Sequence, residues 1–108
     1  MLMDKKTFQN YKPKTEKEKN LAQAFTHVKN EQEALNFLRD LLTPAELEEF
    51  SNRFEIAKLL ETKKLSYAEI AKKVGTSTTT VTRVALWLNS GCGGYKTVLE
   101  RFSKENKK

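Results

Sequence analysis

Thr78, Thr79, Thr82 and Arg83 are the residues whose types and spacing point most directly to chemistry. On a helix of 3.6 residues per turn they share the face turned away from Val81 and Val84, and they offer three hydroxyls and a guanidinium. Such groups hydrogen-bond to base edges and to phosphates. Ser77 stands just ahead of them as a helix cap, Lys72 supplies a cation one short helix earlier, and Tyr67 opens that helix with a phenol. Tyr67, Lys72, Ser77, Thr78, Thr79, Thr82 and Arg83 are therefore expected to form a surface that reads the major groove of double-stranded DNA, with the helix from Ser77 to Asn89 as the reader.

The elements that must hold this surface lie in LSYAEIAKKVGTSTTTVTRV, residues Leu65 to Val84. Counted from Tyr67, the positions of Ile70, Ala71, Val74, Val81 and Val84 fit the buried face of two short helices crossing at a tight turn. Gly75 falls at the turn, where a left-handed backbone ends the first helix. Ser66 with Glu69 makes a capping box, and Leu65 is placed to pack on Ile70 just outside it. Ser77 caps the second helix plainly, because Thr80 stands where a box needs Glu or Gln. A buried helical corner without a nucleic-acid role would use a glycine in the same place. The matched positions and the local charge favour the helix-turn-helix.

That charge is unevenly spread. Residues 20–62 hold four basic and eight acidic side chains, whereas residues 63–95 hold Lys63, Lys64, Lys72, Lys73 and Arg83 against Glu69 alone. The excess coincides with the reading unit while the segment before it is acidic, which favours phosphate contact over a merely solvated lysine face.

Other chemistry is excluded by what the chain lacks. There is no glycine-rich phosphate loop, acid pair or Ser/His/Asp set, so no enzyme is expected. His27 is the single histidine and has no second ligand type beside it, and Cys92 is a lone cysteine in a glycine-rich stretch. No metal and no cofactor is expected. No run of 18 apolar residues exists and MLMDKKTFQNYKPK lacks the apolar core of a signal peptide, so the expectation is a soluble, cytoplasmic protein without a membrane partner.

Every long segment reads as helix, which makes the fold class all-α. With 108 residues the chain is sized for one domain. Thr15 with Glu18 opens a first helix bearing Leu21, Ala24, Phe25 and Val28; Asn30 with Glu33 opens a second bearing Leu35, Leu38, Leu41 and Leu42. Thr43, Pro44 and Glu46 start a third that runs through Phe50, Phe54, Ala57 and Leu60 to about Thr62. NSGCGG, from Asn89 to Gly94, breaks the chain before a last helix over 95–102. The expected organisation is a mobile arm over 1–14, a helical domain over 15–102 with its helix-turn-helix at 66–89, and a basic tail over 103–108. Phe25, Phe37, Phe50, Phe54, Phe102, Trp87 and the leucines exceed what one such chain buries. This predicts a homodimer interleaved through the helices of 15–62.

The stretch LLTPAELEEFSNRFEIAKLLETKKLSYAEIAKKVGTSTTTVTRV resembles the Trp repressor superfamily, in particular its bacterial YerC/YecD-type members, and the resemblance spans residues 20–102. It implies an intertwined helical homodimer whose second reading-unit helix enters the major groove and which represses transcription. It also implies a ligand pocket. The best known members hold tryptophan between two arginines, matched here by Arg53 and Arg83, and Leu42 and Thr43 stand at matching pocket positions. Val84 stands for a glycine, Trp87 for a serine and Asp40 for a leucine, which argues against tryptophan as corepressor. Either the indole of Trp87 takes the ligand's room, leaving a vestigial pocket of Leu42, Thr43, Arg53, Arg83, Val84 and Trp87, or it is ordinary packing. Arg83 and Trp87, four apart, are spaced for a cation–π contact.

The reading is a sequence-specific DNA-binding regulator, a repressor that occupies an operator. Its rivals are a helix-turn-helix that positions DNA for replication or transposition and a helical adapter without DNA binding. The sequence leaves the operator and any small-molecule effector open.

Overall fold

The computed structural model describes residues 8–105. Six helices follow one another, α1 (Glu16–Phe25), α2 (Glu31–Leu41), α3 (Pro44–Thr62), α4 (Tyr67–Val74), α5 (Thr78–Ser90) and α6 (Gly94–Glu105). No strand occurs among the described residues. The all-α class expected from the periodicity is the observed one.

The first five helices start where a side chain can satisfy the first unpaired N–H groups. Thr43 and Glu46 close a reciprocal box at the head of α3, Glu46 N–H to Thr43 Oγ1 at 3.1 Å and Thr43 N–H to Glu46 Oε1 at 2.9 Å. Thr15 and Asn30 cap α1 and α2 by accepting from the N–H of Glu18 and Glu33. There the glutamates reach one residue further back, to the N–H of Lys14 and Lys29, both at 2.9 Å. These bonds fix the direction in which the chain enters each helix.

The contacts divide the chain into two compact units. One comprises residues 8–10 and 51–105 among those described, and contains the core. Ile56 and Ala57 of α3, Ile70 and Ala71 of α4, Val81, Val84 and Leu88 of α5, and Leu99 of α6 form a single buried cluster. Phe54, Leu59, Leu60, Leu65, Val74 and Tyr95 pack around it. Ile56, Ile70 and Val81 are fully buried, and each such side chain contributes on the order of 1.5–3 kcal/mol. Phe54 meets Phe102 edge to face at 5.4 Å. Between α3 and α4 the chain turns at Lys63, whose φ of 58° is the left-handed value glycine adopts more readily. Thr62 Oγ1 organises this turn, donating to Leu59 O at 2.7 Å and accepting from Lys64 N–H at 3.3 Å.

The other unit, Tyr11–Phe50, is built differently. Neither α1 nor α2 buries a single residue. Phe25 and Phe37 stack edge to face at 5.3 Å, yet Phe25 stays 47% and Leu35 49% exposed, and Leu21, Leu41 and Phe50 are exposed too. An apolar stripe left open in this way is unusual for a helix of a monomer.

Of the arm expected over 1–14, residues 1–7 lie outside the described residues, as do 106–108 of the tail expected over 103–108. Tyr11 and Lys14 are both hydrogen-bonded to the Glu18 carboxylate. The last helix continues to Glu105.

Candidate nucleic-acid interface

The site is assembled on α4 and α5. At the head of α4 the Ser66–Glu69 box is complete, with Glu69 N–H donating to Ser66 Oγ at 3.1 Å and Ser66 N–H to Glu69 Oε1 at 2.8 Å. Lys72 and Lys73 occupy the last turn, where cations complement the negative end of the helix dipole. Gly75 ends α4 in the left-handed conformation, φ 86° and ψ 41°, and its N–H donates to Ala71 O at 2.8 Å. A Cβ at Gly75 would meet no atom within 4 Å. Backbone conformation alone, and not close approach, demands the glycine.

Two residues later Ser77 caps α5, its Oγ accepting from Thr80 N–H at 3.2 Å. The Thr80 hydroxyl lies 3.2 Å from the same oxygen, a side-chain contact and not the return bond to the Ser77 N–H that a box residue makes. α5 buries Val81, Val84, Ala85 and Leu88, spaced three and four apart, and this seats it against α4. The opposite face is therefore fixed by default. Thr78, Thr79, Thr82, Arg83, Leu86 and Trp87 are exposed on α5, and Tyr67, Lys72, Lys73 and Ser77 are exposed on α4 and the turn. Every side chain expected from the sequence to contact DNA is thus at the surface of this pair.

Their polar atoms differ in availability. Thr82 Oγ1 donates to Thr78 O at 2.9 Å, so its proton is committed to the helix although the residue is exposed. Among the described residues Thr78 and Thr79 make no side-chain hydrogen bond, and Lys72, Lys73 and Arg83 form no ion pair. Three uncompensated cations flank two free hydroxyls. Such groups can pair chemically with a polyanion that carries hydrogen-bonding edges.

The residues matched to the family's ligand pocket fall in two places. Leu42 is the half-buried C-cap of α2 and Thr43 the exposed cap of α3, with Asp40 exposed beside them. Arg53, Arg83, Val84 and Trp87 belong to the unit with the core. There Val84 points inward at 3% exposure, whereas Trp87 is 58% exposed. Among the described residues the guanidinium of Arg83 forms no cation–π pair with the indole, despite the permissive spacing, whereas Lys58 Nζ lies over the Phe102 ring, 5.5 Å from its centroid. Arg53 acts electrostatically on Tyr95, the second residue of α6. Burial pushes the Tyr95 phenol above its ordinary value, and the Arg53 charge opposes that shift. No spacing rule links residues so far apart in sequence.

His27 and Cys92 are exposed, and no three His, Cys, Asp or Glu residues among those described are grouped to hold a metal ion. No helix among the described residues is long and apolar enough to cross a membrane.

A small helical domain whose second helix-turn-helix element shows an unpaired polar and cationic face belongs to the class of helical nucleic-acid readers. Residues 16–103 match the Trp repressor protein family model, and the chain belongs to that family. It is 34% identical over 86 residues to the uncharacterized protein YerC of Bacillus subtilis strain 168, covering 77% of this chain and 82% of the relative, which makes it a YerC-type member. A TrpR-like protein from Eubacterium eligens superposes with a TM-score of 0.75 at 42% identity, over 82% of this chain and 91% of that one. A candidate Trp repressor from Staphylococcus aureus does so with a TM-score of 0.75 at 30% identity, over 82% and 88%. The family is one of helical DNA-binding regulators and not of enzymes.

Proposed function

We propose that this protein is a sequence-specific transcriptional regulator that represses by occupying an operator, with α5 laid in the major groove of duplex DNA. The observation that carries the reading is the division of α5 into a buried face, Val81, Val84, Ala85 and Leu88, and an outward face of free threonine hydroxyls and unpaired cations. Thr78, Thr79 and Thr82 would read base edges, Arg83 would reach a base or a phosphate, and Tyr67, Lys72 and Ser77 would hold the backbone. The working form is a homodimer closed through the open apolar stripes of α1, α2 and the start of α3. A two-fold pair places two such helices about 34–36 Å apart, as in helix-turn-helix dimers generally, Trp repressor among them.

No tryptophan corepressor is needed in this reading. Val84 belongs to the core, and Trp87 puts an indole where the family's tryptophan binders carry a small polar side chain.

Selection from random duplexes followed by a salt titration tests the function. A discrete enriched sequence, bound with an affinity that falls steeply with salt, is the expected result. Enrichment of no sequence together with salt-independent behaviour would favour the helical adapter and overturn the proposal.

A further inference from the structure

We infer that Phe8, ahead of the first helix, is a positioning residue of the DNA-reading unit: its ring seats on Gly93 and holds the joint between α5 and α6. The inference rests on α5 being the recognition helix. Gly93 has φ 84°, and a Cβ at that position would lie 3.0 Å from Phe8 Cβ, Cγ and Cδ2, tighter than nine in ten Cβ contacts in proteins. Phe8 and the Gly93 backbone are therefore closely packed, and a side chain at 93 would force Phe8 to give by a few tenths of an ångström. Phe8 is half-buried while Gln9 and Asn10 beside it are exposed.

The place of this contact gives it leverage. Gly91 N–H donates to Trp87 O at 3.0 Å, the last bond of α5, and Thr97 N–H donates to Gly93 O at 3.0 Å, the first bond of α6. The two helices are thus separated by three residues, and Gly91, Gly93 and Gly94 make the joint the least constrained backbone in the unit. On one side α5 is anchored by Leu88, and on the other α6 is anchored by Leu99 and Tyr95, all in the same core. Without a weight on the joint, its glycines are free to sample conformations that rotate the outer end of α5. Phe8 supplies that weight from a segment far away in sequence. A side chain that restricts the joint lowers the entropy lost when α5 is fixed in the groove, which favours the bound orientation.

The experiment uses the full chain, a selected duplex and a random duplex, with Phe8→Ala and Phe8→Leu as variants. Phe8→Ala is expected to lose roughly three- to tenfold in affinity for the selected duplex and to keep its affinity for the random one. Amide exchange over residues 91–97 should quicken, and Phe8→Leu should restore both properties toward those of the unmodified protein. An unchanged ratio of specific to random binding in Phe8→Ala would overturn the positioning role. So would an equal loss on both duplexes that Phe8→Leu does not repair. If the unmodified protein failed to discriminate duplexes at all, the proposed function would fall. Exchange at 91–97 would then still decide the contact itself, since no quickening in Phe8→Ala would disprove it separately.

Discussion

The Tyr11 hydroxyl donates to Glu18 Oε1 at 2.9 Å, and the same oxygen accepts the Lys14 backbone N–H at 2.9 Å. The N–H of Lys14 first, and the phenol second, hold the Glu18 carboxyl below its ordinary value of 4.5. A carboxylate whose pKa is lowered by folding favours the folded segment above pH 4.5, and that preference is lost as the pH falls below 4.5. Carbon-detected titration of Glu18 should give a midpoint below 4.5, shifting upward in Tyr11→Phe. A midpoint at 4.5 or above, unaffected by that substitution, would refute the pairing.

Gly75 tests the turn of the reading unit. Because nothing lies within 4 Å of a Cβ there, the cost of Gly75→Ala is conformational alone, about 1–2 kcal/mol. Gly75→Asn should cost less, since asparagine tolerates the left-handed region. Thermal melts followed by circular dichroism measure both, and equal stability of all three proteins would contradict the assignment.

Thr79 and Lys72 should separate specificity from affinity. Thr79→Ala is expected to relax the sequence preference by about 1–3 kcal/mol at one base position, whereas Lys72→Ala should weaken all duplexes alike and make the salt slope shallower by about one. Gel-shift titrations at two salt concentrations check this, and the face is misassigned if neither change alters either quantity.

Leu35 tests the dimer. In a single chain it is 49% exposed, so Leu35→Glu would be nearly neutral in a monomer. If the stripe is an interface, the unmodified protein sediments at twice its chain mass of 12.4 kDa, and the variant dissociates. A monomeric unmodified protein with full helix content would dispose of the interface.

Tryptophan should leave the protein unmoved. Isothermal titration with L-tryptophan is expected to show no saturable heat, and the melting temperature should not rise, because a ligand shifts an equilibrium only by its differential binding. Two saturable sites per dimer would establish the opposite.

Local chemistry determined most of the architecture from the sequence alone. The caps at Thr43, Ser66 and Ser77, the left-handed end at Gly75 and the spacing of Ile70, Val81 and Val84 each depend on residues within one or two turns, so a one-dimensional reading finds them. The outward set from Thr78 to Arg83 follows, because once the buried face is known the other is its complement. Tertiary structure alone decided the rest. The family resemblance that matched Val84 and Trp87 to one pocket does not say that one turns into the core and the other out to solvent. The left-handed Lys63 carries no glycine to announce it. Arg53 opposite Tyr95 and Phe8 on Gly93 join residues more than forty positions apart, and such pairs are set by where packed helices bring the backbone, which no local pattern encodes.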